Sequence, residues 1–154
     1  MKSILSLVVA LCAFTAAHAT QATLTAYQSS LANNEDVVKA IAKENKATLP
    51  VLWSMTFDLN EAKETKATSD FSTTHVTVKI DDLKRTANSD KISLRCRVDE
   101  SVDQQTTPPN TNSFQTNVVV KVGGSPVILG RTTASTKTNS QESVSGRVYV
   151  LTLK

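Results

Sequence analysis

The sequence predicts a mainly β or α+β domain of about six antiparallel strands, sheet or sandwich, with one N-terminal amphipathic helix. Three patterns carry this prediction. Apolar residues alternate with polar ones in several runs after Pro50, a short stretch before Pro50 repeats at helical spacing, and turn residues separate the runs. Glycine is scarce, four in total and none before Gly123, so the chain has no low-complexity or fibrous character.

The first residues carry an export signal. Lys2 supplies a positive start, and Ile4 to Phe14 is apolar apart from Ser6. Thr15-Ala16-Ala17-His18-Ala19 then offers small residues at the two positions a signal peptidase reads. The run is roughly half of the about 20 apolar residues a spanning helix needs. Cys12 follows Leu11 and the apolar run continues beyond it, which disfavours a lipidated N-terminus. The prediction is a secretory signal peptide over residues 1–19, cleaved after Ala19, and one globular domain over residues 20–154 in the periplasm or medium. No later segment is long and apolar enough to be a transmembrane helix.

Charge and cysteine usage narrow the function. The formal net charge is +3, about +2 once Lys2 is removed, and no basic stripe marks a nucleic-acid interface. After cleavage Cys96 is the one remaining cysteine, so no intramolecular disulfide can form and the fold must rest on its core. The absence of any Asn-x-Ser/Thr sequon fits a bacterial envelope protein.

Along the chain, Thr20 to Gln28 shows only a weak pattern, with Leu24 and Tyr27 its large apolar residues. A helix of about three turns follows. Asn33 or Asn34 caps it, Glu35 and Asp36 occupy its first turn, Val37, Val38 and Ile41 form its stripe, and Lys43 and Lys46 lie near its end. Val51, Trp53, Met55, Phe57 and Leu59 then occupy alternate positions, with Ser54, Thr56 and Asp58 between them, the cleanest strand signal in the chain. Glu61 to Asp70 reads as a charged surface connection. Val76, Val78 and Ile80 alternate with His75, Thr77 and Lys79, and Ile92, Leu94, Cys96 and Val98 alternate with Ser93, Arg95 and Arg97. Such alternation suits a sheet wetted on one face.

Beyond a loop broken by Pro108-Pro109, Phe114 to Val122 and Pro126 to Thr132 read as two strands joined in a hairpin across Gly123-Gly124-Ser125. Pro126 has no backbone N–H, which places it at a strand start or a sheet edge. Thr133 to Ser145 reads as a long mobile loop. Val144 to Leu153 closes the domain, with Val148 and Val150 facing opposite to Tyr149 and Leu151.

Catalytic chemistry finds little foothold. His75 falls on the polar face of its strand and Cys96 on the apolar face of another, so a Cys–His pair would need an unusual geometry. No HxH, HxxxH or CxxC spacing seeds a metal site, and no phosphate-binding glycine loop or GxSxG motif occurs. No cofactor is expected. The doublets Glu35-Asp36, Asp81-Asp82 and Asp99-Glu100 read as surface or turn residues, those on a strand pointing to opposite faces. Trp53 belongs to the core. Lys79, Arg95 and Arg97, with His75, share a polar face if their strands are neighbours, and make a modest basic patch.

The stretch Lys91-Ile92-Ser93-Leu94-Arg95-Cys96-Arg97-Val98, the Phe114–Val122 run and Gly123-Gly124-Ser125-Pro126-Val127-Ile128-Leu129-Gly130 resemble a portion of the bacterial secretin β-domain. There a Val-rich strand, a glycine turn and a "VVLGG"-like strand follow one another. The resemblance spans roughly residues 91–131 and implies a secretin-like hairpin in an envelope protein. Arg131 stands where secretins have a second glycine, the later proline-rich lip is missing, and the chain is too short for the channel, so no functional residue carries over. The reading that results is an exported, non-enzymatic binding or accessory protein of the bacterial envelope, which meets another envelope or secreted protein through Lys79, Arg95 and Arg97. Its rivals are a hydrolase inhibitor presenting the 133–145 loop and an unrecognised small enzyme.

Overall fold

The computed structural model describes residues 20–31, 33–42, 49–59, 63–72, 74–87, 89–102, 110–138 and 141–154. The predicted signal peptide, Lys43 and Lys46 at the helix end, and Pro108-Pro109 lie outside the described residues. The chain forms β1 (Thr20–Gln28), α1 (Asn34–Ala42), β2 (Val51–Leu59), β3 (Thr65–Phe71), β4 (Thr74–Arg85), β5 (Lys91–Val102), β6 (Asn110–Lys121), β7 (Val127–Thr138) and β8 (Gln141–Leu153).

These strands make two four-stranded antiparallel sheets, β2-β1-β8-β7 and β3-β4-β5-β6. The sheets pack face to face over one hydrophobic core. Ala22, Leu24, Trp53, Met55, Tyr149 and Leu151 from the first sheet meet Val76, Val78, Ile80, Ile92, Leu94 and Val98 from the second. The chain passes from one sheet to the other between β2 and β3 and returns between β6 and β7. Each strand therefore follows its sequence neighbour around a flattened meander, and β8 closes it beside β1. Across the β2/β3 seam Trp53 stacks on Phe71, and Phe114 of β6 lies against Tyr149 of β8.

The mainly β, antiparallel character agrees with the sequence, but eight strands are present among the described residues rather than about six. Two were hidden by small residues. In β1 the inward positions are Ala22, Leu24 and Ala26, all fully buried, and alanine adds little to an alternating hydrophobic signal. In β3 the half-buried positions are Thr65, Ala67, Ser69 and Phe71, so a segment that reads as a charged connection is a strand at the rim of the sheet.

The expected 133–145 loop is also a correction. β7 and β8 pair continuously from Thr133–Gly146 through Thr138–Gln141, a two-stranded extension beyond Gln28–Arg147, the last pair β8 makes with β1. Backbone pairing in a Ser/Thr-rich ribbon leaves no apolar alternation to read.

The helix is where its caps predicted, but it follows β1 and is not N-terminal to the strands. Asn33 Oδ1 accepts a hydrogen bond from the Glu35 N–H at 2.9 Å, as an N-cap should. Val37 is fully buried and packs with Leu49, Val148 and Val150 on the outer face of the β2-β1-β8-β7 sheet. Both faces of β8 are consequently covered, Val148 and Val150 beneath the helix and Tyr149, Leu151 and Leu153 between the sheets. Arg131 of β7 fixes the start of the helix, donating from Nε to Asn34 Oδ1 at 2.7 Å and from Nη1 to the Leu31 carbonyl at 2.5 Å.

The Gly-Gly hairpin is overturned. β6 pairs with β5 and β7 with β8, so Gly123-Gly124 carries the chain between sheets. Gly123 takes a φ of +66°, its N–H donates to the Leu153 carbonyl at 2.7 Å, and Val122 makes a single parallel bridge with Leu153. Pro126 does precede the first residue of β7, which is an edge strand as expected. Asp81-Asp82, which reads as a turn, lies within β4. Asp82 has a φ of +51° and sits in a bulge between Asp81 and Lys84, after which β4 pairs with β5 again.

Cys96 is fully buried and free, and burial first, then the negative charge of Asp81, pushes its thiol up to about 12. The native thiol should therefore resist iodoacetamide at a pH near 8.5, where an ordinary cysteine is about half thiolate, and react quickly in denaturant. Cys96→Ser should destabilise by about 1–3 kcal/mol through a buried hydroxyl. Rapid labelling of folded protein would contradict this placement.

Candidate functional site

The two outer faces of the sandwich differ. Helix α1 covers part of one, whereas the β3-β4-β5-β6 sheet presents a polar surface with regular rows. Directly opposed residues share a face in antiparallel pairs, so the register defines the rows. Asp70, His75, Ser101 and Thr111 form one, Thr68, Thr77, Asp99 and Ser113 the next, and Lys66, Lys79, Arg97 and Gln115 a third. Asp81, Arg95 and Asn117 continue into a fourth.

The condition for the predicted patch is therefore met: β4 and β5 are neighbours, Lys79 lies opposite Arg97, and Arg95 lies one row on. Lys66, not singled out from the sequence, extends the row onto β3 because that segment is a strand. Three cations thus stand side by side across three strands. Like charges directly opposed destabilise a sheet, and carboxylates offset this row. Lys79 Nζ is 2.7 Å from Glu64 and 3.6 Å from Asp81. Arg95 reaches Asp81 at 2.5 Å and Asp82 at 2.8 Å, and Arg97 reaches Asp99 at 2.9 Å. Ser113 also donates to Asp99. The face is an alternating network of charges rather than a bare basic patch.

The titrations follow from these contacts. The hydrogen bond from Arg95 holds the Asp81 carboxyl below its usual range against some desolvation. Burial pushes Asp99 up, but the hydrogen bonds from Arg97 and Ser113 together outweigh it and leave it lowered. Hydrogen bonding to Glu64 raises Lys79. A carboxylate whose pKa is depressed on folding stabilises the fold above its unfolded pKa, and the effect fades as pH falls through the depressed value. Asp81 and Asp99 therefore stay charged throughout the neutral range. His75 is exposed as expected and pairs with Asp70 at 2.5 Å.

A second constellation was missed. Glu100 continues the inward row of Ile92, Leu94, Cys96 and Val98 and is only 2% exposed. Its Oε1 accepts from the Trp53 indole N–H, and its Oε2 accepts from Arg147 Nη1 at 2.6 Å and the Tyr149 hydroxyl at 2.7 Å. One carboxylate from β5 thus gathers donors from β2 and β8 of the facing sheet. Burial, then this hydrogen bond, raises the Tyr149 phenol, so it stays protonated as a donor. Trp53 is in the core as predicted, 3% exposed, yet its polar edge has a specific partner. The available signal was the period-two count itself, which reaches Glu100 in phase with four apolar residues; reading the residue as one half of a carboxylate doublet concealed it. The arrangement fastens the sheets together, and Arg147, whose side chain is 31% exposed, links it to solvent.

Tyr149→Phe removes one hydroxyl while keeping the ring, leaving Glu100 short of a donor in a buried setting. It should destabilise the domain by about 1.5–3 kcal/mol in denaturant unfolding. A change within about 0.5 kcal/mol would mean that the carboxylate is satisfied without it. The chain matches no known family model, no curated protein and no solved structure.

Proposed function

We propose that this chain is an exported, non-enzymatic binding or accessory protein of the bacterial envelope, and that it meets an anionic segment of a partner protein through the outer face of the β3-β4-β5-β6 sheet. The observation that carries this reading is the row Lys66, Lys79 and Arg97, like charges opposed across three strands. Carboxylates beside the row offset its repulsion within the chain, and the cations stay on the open face where an anionic segment can reach them. Export is proposed on Lys2, the Ile4–Phe14 run and the Ala17/Ala19 site.

The exchange with a partner is physically cheap. The Arg97–Asp99 pair is exposed, and an ion pair of this kind is worth only about 0–1 kcal/mol. A partner carboxylate can replace Asp99 beside Arg97 at little net cost, and the arginine donates to it through a planar fork. Such contacts are screened over about 8–10 Å at physiological salt, so binding should weaken as salt rises.

Protein recovered from envelope extract should begin at Thr20 by intact mass and retain a partner that dissociates at high salt. Arg95→Ser with Arg97→Ser, its thermal transition confirming the fold, should recover that partner several-fold less well at low salt. Undiminished recovery would reassign the arginines to solubility and move the site to the β7–β8 ribbon. Recovery of a single soluble hydrolase would favour the inhibitor reading.

A further inference from the structure

The rows on the open face do not end neatly at β3. As the outer strand of its sheet, β3 pairs with β4 alone, and no backbone hydrogen bond from any other described element reaches it. An outer strand with free N–H and C=O groups is a template for another strand. Its charges determine which strand fits. Lys66 and Asp70 are both exposed and lie on the open face, each two residues from Thr68.

We propose that β3 is a homodimerisation edge, pairing antiparallel with β3 of a second copy about a two-fold axis at Thr68. In that register Lys66 stands opposite Asp70 of the second copy, and the two-fold repeats the pair. Thr68 meets its own counterpart, and on the inner face Ala67 meets Ser69 while Thr65 meets Phe71. The two sheets become one sheet of eight strands. Moving the two-fold to Ala67 sets Lys66 against Thr68 and brings Glu64 opposite Asp70, a like-charge pair, so the charges choose the register as well as the partner.

The second copy fits this edge because the edge is complementary to itself. Within one chain Lys66 lies opposite Lys79, and no described carboxylate pairs with it. Asp70 engages His75 through Oδ1 with its side chain 80% exposed, which leaves Oδ2 for a second cation. The dimer supplies each with the opposite charge. By contrast β6 has no charged residue from Asn110 to Val120 and nothing to fix a partner's identity or register. The dimer goes beyond the partner-binding reading, and a monomer that still recovers its partner in a salt-sensitive way would remove the dimer alone.

The test is light scattering on the purified protein at low salt across micromolar to millimolar concentration. Wild type should reach a dimer. Lys66→Asp and Asp70→Lys, each checked for an unchanged thermal transition, should each raise the dimer dissociation constant by about tenfold or more, because each opposes like charges twice. An equimolar mixture of the two variants should form a heterodimer, and the double variant Lys66→Asp/Asp70→Lys should dimerise again. A wild type that stays monomeric throughout, or a dimer indifferent to both single variants, would overturn the proposal.

Discussion

A single buried carboxylate sets the terms on which the two sheets of this protein can meet. Hydrophobic contact alone is non-directional and would tolerate a range of offsets between facing sheets. Glu100 narrows that range, because a desolvated charge is tolerable only where its donors converge. Trp53, Arg147 and Tyr149 reach it from β2 and β8 at once, so the relative position of the sheets is fixed to hydrogen-bond precision at that end. The opposite end has its own tie, Arg85 Nη2 donating to Thr20 Oγ1 at 2.8 Å, with the Val122–Leu153 bridge nearby in the chain's return path. Between these ends lies an apolar core with Cys96 inside it, and no disulfide is needed to hold the layers together.

The arrangement frees one surface. Helix α1 packs on the outside of the β2-β1-β8-β7 sheet and buries Val148 and Val150, which otherwise would face water. The facing sheet, braced from within, can carry a flat array of alternating charges. The charges are placed by the pleat: residues two apart on β5, such as Arg95, Arg97 and Asp99, emerge on one side while Cys96, Val98 and Glu100 enter the core. The same strand therefore supplies both the proposed contact surface and the interior lock, and disturbing its register would damage both together.

Large alternating apolar residues made β2, β4 and β5 legible in the sequence, and Asn33 with the Glu35-Asp36 turn made the helix legible. The polar face followed from that alternation, which is why Lys79, Arg95 and Arg97 could be grouped before any strand order was known. What escaped was set by long-range pairing. β1 and β3 bury alanine, serine and threonine, whose burial depends on neighbours remote in sequence, and the β7–β8 ribbon is defined by backbone hydrogen bonds that side-chain periodicity does not report. Gly123-Gly124 supplied turn chemistry without revealing that the next strand joins the other sheet. Lys66 became part of the charged row only once β3 was a strand, and the carboxylates beside Lys79, Arg95 and Arg97 became visible only with the register and the Asp82 bulge.

The most direct measurement of the central claim is a double-mutant cycle between Glu100 and Arg147, using Glu100→Gln, Arg147→Met and the pair, followed by denaturant unfolding. Arg147→Met leaves the carboxylate buried without its counter-charge, whereas in the Glu100→Gln background the same change removes much less. The account predicts a coupling of about 1–3 kcal/mol, the two single losses exceeding the loss in the double variant. Additivity within about 0.5 kcal/mol would contradict it and show that the sheets are positioned by the apolar core alone.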